Sequence, residues 1–110
     1  MLEEEIHYKI LKALGENPEL SQRELAGKMN LSLGKVNFCL NALMAKGWIK
    51  VQNFKNSKNK LAYLYNLTPS GIEEKAKLTK NFLHKKMQEY DMLSQEIAQL
   101  QIESRLDKTG

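Results

Sequence analysis

Two helix-start signals, the second of them directly after a short turn, constrain the fold of this chain more than any other feature. Ser21 and Glu24 have the spacing of a capping box, in which each side chain accepts a hydrogen bond from the other residue's backbone N–H. Ser32 is a second N-cap residue, and Asn30 before it tolerates the left-handed conformation that a tight turn needs. The pattern predicts two short helices joined by a turn of about three residues, as in a helix-turn-helix.

A further helix is predicted before this pair. Ile6, Ile10 and Leu14 recur at four-residue spacing, which is typical of an amphipathic helix. We expect this helix to span residues 2–14 and to end at Gly15.

A β-hairpin is predicted after the pair. In residues 48–54 the sequence has a two-residue period, as in a strand, with Trp48, Lys50 and Gln52 on one side and Ile49, Val51 and Asn53 on the other. Residues 61–67 form a second such segment, which is rich in tyrosine and leucine. The six residues between them, 55–60, are polar and include three lysines. A hairpin with a basic tip directly after the helix-turn-helix predicts the winged variant of that fold.

A long C-terminal helix completes the prediction. Thr68 and Pro69 form a helix start, and no stop signal follows before about residue 104. Apolar residues then recur at steps of three and four, as in a coiled coil. The predicted dimer interface on this helix, called the seam below, consists of Leu83, Met87, Tyr90, Leu93, Ile97 and Leu100.

The expected fold class is therefore mainly α with a small β-hairpin. We predict a winged helix-turn-helix DNA-binding domain over residues 1–68. A long coiled-coil helix with a short tail, which we expect to mediate dimerisation, follows over residues 69–110.

Positive charge is concentrated in the middle of the chain. Residues 20–66 contain eight lysines and arginines against one acid, Glu24, which gives that region a net charge of +7. The flanking regions are acidic (net −3 over residues 1–19) and neutral (residues 67–110), so the whole chain carries only +4. Such a block is expected of a nucleic-acid contact surface, although a solvated lysine-rich face is an equal alternative on charge alone.

Several classes of protein are excluded by what the sequence lacks. Cys39 is the single cysteine, which rules out an internal disulfide and a cysteine-based zinc finger, and we expect it in the core. No apolar run is long enough to span a membrane, and the acidic start predicts a cytoplasmic protein. His7 and His84 have no acidic or cysteine partner at metal spacing in the sequence, so no metal site is expected. No catalytic set or cofactor motif is present, so we expect neither enzyme activity nor a cofactor.

The chain resembles the MarR-type winged-helix repressors, and within them the small branch of EPS-associated regulators. The segments that carry the general resemblance are Ser21–Ala26, Leu31–Asn37, Leu43–Ile49 and Leu67–Ile72. Those that carry the resemblance to the branch are the wing, Gln52–Lys60, and the pairs Phe82-Leu83, Glu89-Tyr90 and Glu96-Ile97. The resemblance implies specific binding of double-stranded DNA by a homodimer that controls exopolysaccharide genes. Unlike longer MarR proteins, this chain has only its C-terminal helix left to dimerise, which argues against the usual ligand pocket and leaves any small-molecule effector unknown.

The winged-helix prediction assigns DNA-binding residues in three groups. The outward face at the start of the third helix enters the major groove, with Leu33, Gly34, Lys35, Asn37, Phe38 and Asn41. Helix N-termini suit phosphate contacts, for which we assign Ser21, Gln22, Arg23 and Ser32. The wing contributes Lys55, Asn56, Ser57, Lys58, Asn59 and Lys60.

Each group has a purely structural alternative. Phe38 could pack against a neighbouring loop, the two serines could only cap helices, and the wing lysines could form a solvated turn. Trp48, Tyr63 and Tyr65 are expected to pack in the wing and the core.

The sequence thus predicts a homodimeric, sequence-specific regulator that binds double-stranded DNA, with a protein-interaction module as the alternative. RNA binding is weaker, because a helix cannot read the deep groove of A-form RNA. The operator, the sign of regulation, the relative direction of the two seam helices and any redox role of Cys39 are not determined by the sequence.

Overall fold

The computed structural model describes residues 3–55, 58 and 61–109 of the chain. The helices are α1 (Glu3–Glu16), α2 (Gln22–Met29), α3 (Leu33–Ala45) and α4 (Pro69–Thr109), and the strands are β1 (Ile49–Lys55) and β2 (Leu61–Leu67). The strands pair antiparallel from Ile49 opposite Leu67 to Lys55 opposite Leu61. This confirms the predicted fold, a winged helix-turn-helix followed by a long C-terminal helix.

Local capping bonds set the geometry of the helix-turn-helix. The Ser21 hydroxyl oxygen accepts from the Glu24 backbone N–H at 3.0 Å, and the Glu24 carboxylate accepts from the Ser21 N–H at 3.4 Å. Asn30 ends α2 in the left-handed region, with φ 55° and ψ 45°. Ser32 then caps α3 by accepting from the Lys35 N–H at 3.1 Å. Every signal predicted for this turn is confirmed.

Two helix ends and both ends of the first strand differ from the predictions. Helix α1 continues through Gly15 to Glu16 and stops where Pro18 disfavours helical backbone at Asn17. The first strand begins one residue after Trp48, because the Trp48 N–H is still bonded to the Leu43 carbonyl at 3.0 Å across the left-handed Gly47. It ends one residue later than predicted, at Lys55, which pairs with Leu61. Helix α4 runs past residue 104 to Thr109.

The buried core joins the three short helices to the hairpin and the start of α4. Val36, Cys39 and Leu40 from α3 are fully buried, which confirms the expectation that Cys39 lies in the core. The remaining core residues are Ile6, Ile10, Leu11, Leu14, Leu20, Leu25, Ala26, Met29, Leu43, Ile49, Tyr65 and Leu78. Helix α3 is thereby held firmly on one side and leaves its other side exposed.

The chain divides into two compact units, Met1–Thr79 and Lys80–Gly110. The first unit includes the start of α4, where Gly71 and Leu78 are buried. The second unit is a single helical segment whose described side chains are exposed, apart from the half-buried Phe82. Within the described residues, no helix combines the length and apolar character that a membrane span requires.

Candidate nucleic-acid interface

The outward side of α3 carries the residues assigned to base contacts. Asn37, Phe38 and Asn41 are exposed, and Phe38 remains 61% accessible to solvent. Leu33 and Gly34 lie exposed in the first turn of the same helix. Phe38 is therefore not packed under a neighbouring loop of the described chain, which was its structural alternative.

Lys35 is less free than the outward assignment implies. Its side chain is half-buried, and its ammonium lies 3.5 Å from the Oε2 atom of Glu3 on α1. The same ammonium lies 5.3 Å from the centre of the Phe38 ring. Lys35 thus links the start of α1 to the exposed side of α3.

A chain of side-chain hydrogen bonds connects the wing to α3. The Gln22 Nε2 donates to the Tyr65 hydroxyl at 3.2 Å, and the Gln22 Oε1 accepts from Asn37 Nδ2 at 3.3 Å. The Asn37 Oδ1 in turn accepts from Asn41 Nδ2 at 3.2 Å. These bonds occupy one N–H of Asn41 and leave its carbonyl oxygen and second N–H for another partner.

The sequence predicts only part of this chain of hydrogen bonds, which is called the relay below. The four-residue spacing of Asn37 and Asn41 places them on one helix face. The participation of Gln22 and Tyr65 depends on the packing of α2 and β2 against α3, for which the sequence holds no local signal.

Three of the four residues assigned to phosphate contacts at helix N-termini, Ser21, Gln22 and Arg23, line one groove beside α2. A groove of about 460 Å³ is lined by Glu19, Ser21, Gln22, Arg23, Leu33, Ala62, Tyr63 and Tyr65. Arg23 is exposed at the start of α2. The Ser21 and Ser32 oxygens accept capping bonds, as expected, and each hydroxyl proton can still be donated to an anion.

The wing presents positive charge and, at Tyr63, an exposed aromatic ring. Lys55 and Lys58 are exposed. The other assigned tip residues, Asn56, Ser57, Asn59 and Lys60, lie outside the described residues. Tyr65 is buried and Trp48 half-buried, as expected for packing residues, whereas Tyr63 is 52% accessible to solvent.

The expectation that His7 has no acidic or cysteine partner is wrong. One helical turn places Glu3 beside His7, and α3 packs Cys39 against them, so that one ligand atom from each residue lies within 4.8 Å of the others. Burial lowers the pKa of His7, against the opposing effect of the Glu3 carboxylate. Cys39 is fully buried, and this burial raises the pKa of its thiol.

The second unit exposes the predicted seam. Tyr90 at its centre is 70% accessible, and the other five seam residues are also exposed. Met92, Ile102 and Leu106 are exposed apolar residues that the seam prediction omitted. The apolar surface of this helix is therefore wider than a single stripe.

Comparisons with known proteins agree with this architecture. Residues 3–50 match a family model of winged helix-turn-helix DNA-binding domains. A protein from Thermoplasma acidophilum that is assigned as a transcriptional regulator is 21% identical, with a TM-score of 0.68 over 84% of this chain and 93% of that chain. A MarR/EmrR family transcriptional regulator from Acinetobacter sp. ADP1 is 19% identical, with a TM-score of 0.61 over 93% of this chain and 75% of that chain.

A third similar structure is a complex with DNA. MepR from Staphylococcus aureus in that complex is 21% identical, with a TM-score of 0.61 over 76% of this chain and 59% of that chain. A search of curated proteins finds no match. At these identities the similarity establishes the winged helix-turn-helix fold.

Proposed function

We propose that this chain is a MarR-type transcription regulator that binds specific double-stranded DNA as a homodimer. The observation that carries the proposal is the exposed polar face of α3, with Asn37, Phe38 and Asn41 turned outward from a fully buried opposite side. That face lies in a region of net charge +7. The winged-helix match over residues 3–50 and the similarity to MepR in its DNA complex support the same function.

Asn41 is the proposed base-reading residue. An asparagine amide matches the adjacent acceptor and donor of adenine in the major groove, and Asn41 retains one acceptor and one donor after bonding to Asn37. The relay from Tyr65 through Gln22 and Asn37 limits the orientations that this amide can adopt. Phe38 beside it would contact thymine methyl groups.

Phosphate contacts would position the protein without reading sequence. We assign them to Ser21, Arg23 and Ser32 at the helix N-termini, with Gln22 contributing from the edge of the groove. Lys55, Lys58 and the tip residues Asn56, Ser57, Asn59 and Lys60 would follow the backbone of the adjacent minor groove. Lys35 would join the α3 contacts once it leaves Glu3.

The seam on α4 is the proposed dimer interface. A helical segment with exposed leucine, isoleucine and tyrosine at steps of three and four buries them by pairing with a second copy. A two-fold symmetric dimer would place two α3 helices on successive major grooves of a palindromic site. By resemblance to the EPS-associated branch, the genes so controlled would encode exopolysaccharide synthesis.

The test separates base reading from phosphate binding. Binding sites are first selected from random-sequence DNA, and fluorescence anisotropy then compares the selected site with single-base variants and scrambled DNA. Asn41→Ala should lose about 10- to 100-fold discrimination at particular bases, whereas Lys58→Ala should weaken all DNA alike and reduce the salt slope by about one.

Matched controls come from the second unit. Asn81→Ala and Lys85→Ala remove the same groups from exposed positions on α4 and should leave DNA affinity unchanged. If Asn41→Ala weakens selected and scrambled DNA equally, Asn41 does not read bases. If no DNA binds even at low salt, the protein-interaction alternative replaces the proposed function.

A further inference from the structure

A buried imidazole with an unpartnered Nε2 atom lies at the junction of α1 and α3. His7 is only 5% accessible to solvent, and its Nε2 atom has no hydrogen bond within the described residues. The Oε1 atom of Glu3 lies 3.5 Å from Nε2, and the Cys39 thiol completes a set of three ligand atoms within 4.8 Å. A buried polar nitrogen of this kind costs folding free energy unless something binds it.

The three donor types match one class of ligand. Thiolate, imidazole and carboxylate together favour Zn²⁺ and related divalent transition metals over Mg²⁺ or Ca²⁺, which prefer oxygen ligands. Ligand atoms around tetrahedral zinc are about 3.5 Å apart, given bonds of about 2.0 to 2.3 Å. The Glu3–His7 separation already has this value, and the rest of the set must contract by about 1 Å.

Glu3 is the one member of the set that is exposed. His7 and Cys39 are held by the core, whereas Glu3 is exposed in the first turn of α1 and can adjust. Its exposed side leaves a fourth position open to water, as in zinc sites with three protein ligands.

We propose that Glu3, His7 and Cys39 form a Zn²⁺-type metal site that increases DNA affinity by releasing Lys35 from Glu3. The Glu3 carboxylate cannot serve the metal and the Lys35 ammonium equally, because both are cations that compete for one negative charge. Metal binding also expels the thiol proton, since the thiolate is the ligand. The carboxylate and thiolate then balance the metal charge, and Lys35 becomes available on the DNA-binding face of α3.

The metal site itself is tested without DNA. Untagged, chelator-treated full-length protein is titrated with Co²⁺ under reducing conditions and followed for thiolate-to-cobalt absorption, and with Zn²⁺ by calorimetry. One equivalent of metal should bind with that absorption band. Cys39→Ala should lose the band, and Glu3→Gln should bind zinc at least about tenfold more weakly.

A matched control and a second variant keep the test decisive. Glu4→Gln changes the neighbouring exposed carboxylate and should leave metal binding unchanged. If Cys39→Ala fails to fold by circular dichroism, the exposed Glu3→Gln variant and the wild-type spectrum decide the result. Absence of the band in wild type, or equal zinc affinity in Glu3→Gln and wild type, would overturn the site.

The coupling to DNA rests on the proposed function and has its own readout. Zinc should raise wild-type affinity for the selected site about tenfold, within the range of allosteric couplings. Glu3→Gln should bind DNA more tightly than wild type without metal and should no longer respond to zinc, because its Lys35 is already released. A zinc site that leaves DNA affinity unchanged overturns the coupling. Absence of all DNA binding overturns the proposed function and the coupling, whereas the cobalt band still decides the site.

Discussion

Replacing Gly71 by alanine should destabilise the first compact unit, although alanine is the better helix former. A Cβ atom at Gly71 would lie 1.9 Å from the carbonyl oxygen of Trp48 and 2.8 Å from its carbonyl carbon. Both are backbone atoms, so no side-chain rotation relieves the overlap. Either the start of α4 or the segment before β1 must move.

Neither side can move without losing bonds. The Trp48 carbonyl accepts from the Thr68 N–H at 3.0 Å, and the Trp48 N–H donates to Leu43 at 3.0 Å. On the helix side, the Gly71 N–H donates to the Thr68 hydroxyl at 3.0 Å. Overpacking costs about 1 to 3 kcal/mol and a lost hydrogen bond about 1 kcal/mol, against about 1 kcal/mol of gained helix propensity. We expect a net loss of about 2 kcal/mol in the free energy of unfolding.

Gly27→Ala is the matched control. Gly27 lies exposed in α2, and a Cβ atom there has no neighbour within 4 Å among the described residues. It should stabilise the protein by up to about 1 kcal/mol. Urea unfolding followed by circular dichroism measures both variants at one fixed protein concentration, since the stability of the proposed dimer would depend on concentration. A Gly71→Ala variant as stable as wild type would refute the close approach of α4 to Trp48.

Three other predictions concern capping, pH and assembly. Ser21→Ala should lower the free energy of unfolding by about 1 kcal/mol in urea melts, because it removes the capping box; an unchanged midpoint would contradict that role. The lowered pKa of His7 means that the unfolded state binds its proton first, so stability should fall as pH drops below about 6.5. That decline should be smaller in His7→Gln. If the urea midpoint changes with pH by the same amount in both proteins, the burial argument is contradicted. Truncation after Lys85 should give monomers by light scattering, and a truncated chain that stays dimeric would exclude the seam.

The turn and the short helices were predictable because their signals are local. Ser21, Glu24, Asn30 and Ser32 act within three residues of where they lie, and each behaves as its type and spacing indicate. The predicted start of the first strand was wrong because a local backbone hydrogen bond was overlooked. The hydrogen bond from the Trp48 N–H to the Leu43 carbonyl, across the left-handed Gly47, delays the start of the strand by one residue.

Tertiary proximity was not predictable from the sequence. Glu3 and His7 are one helical turn apart, but nothing in the sequence places Cys39 of α3 against them. The bonds of Gln22 to Tyr65 and Asn37 likewise join segments that are distant along the chain. The sequence therefore predicts which residues of α3 are exposed, but not the contacts that orient them.

Specific DNA binding by the exposed face of α3 is the central claim, and one titration tests it most directly. Fluorescence anisotropy compares wild-type affinity for the DNA upstream of the protein's own gene with affinity for scrambled DNA across a salt series. We predict a preference of about a thousand-fold for the upstream site and a steep loss of affinity with salt. Equal affinity for the two DNAs, or no binding to either at low salt, would contradict the account.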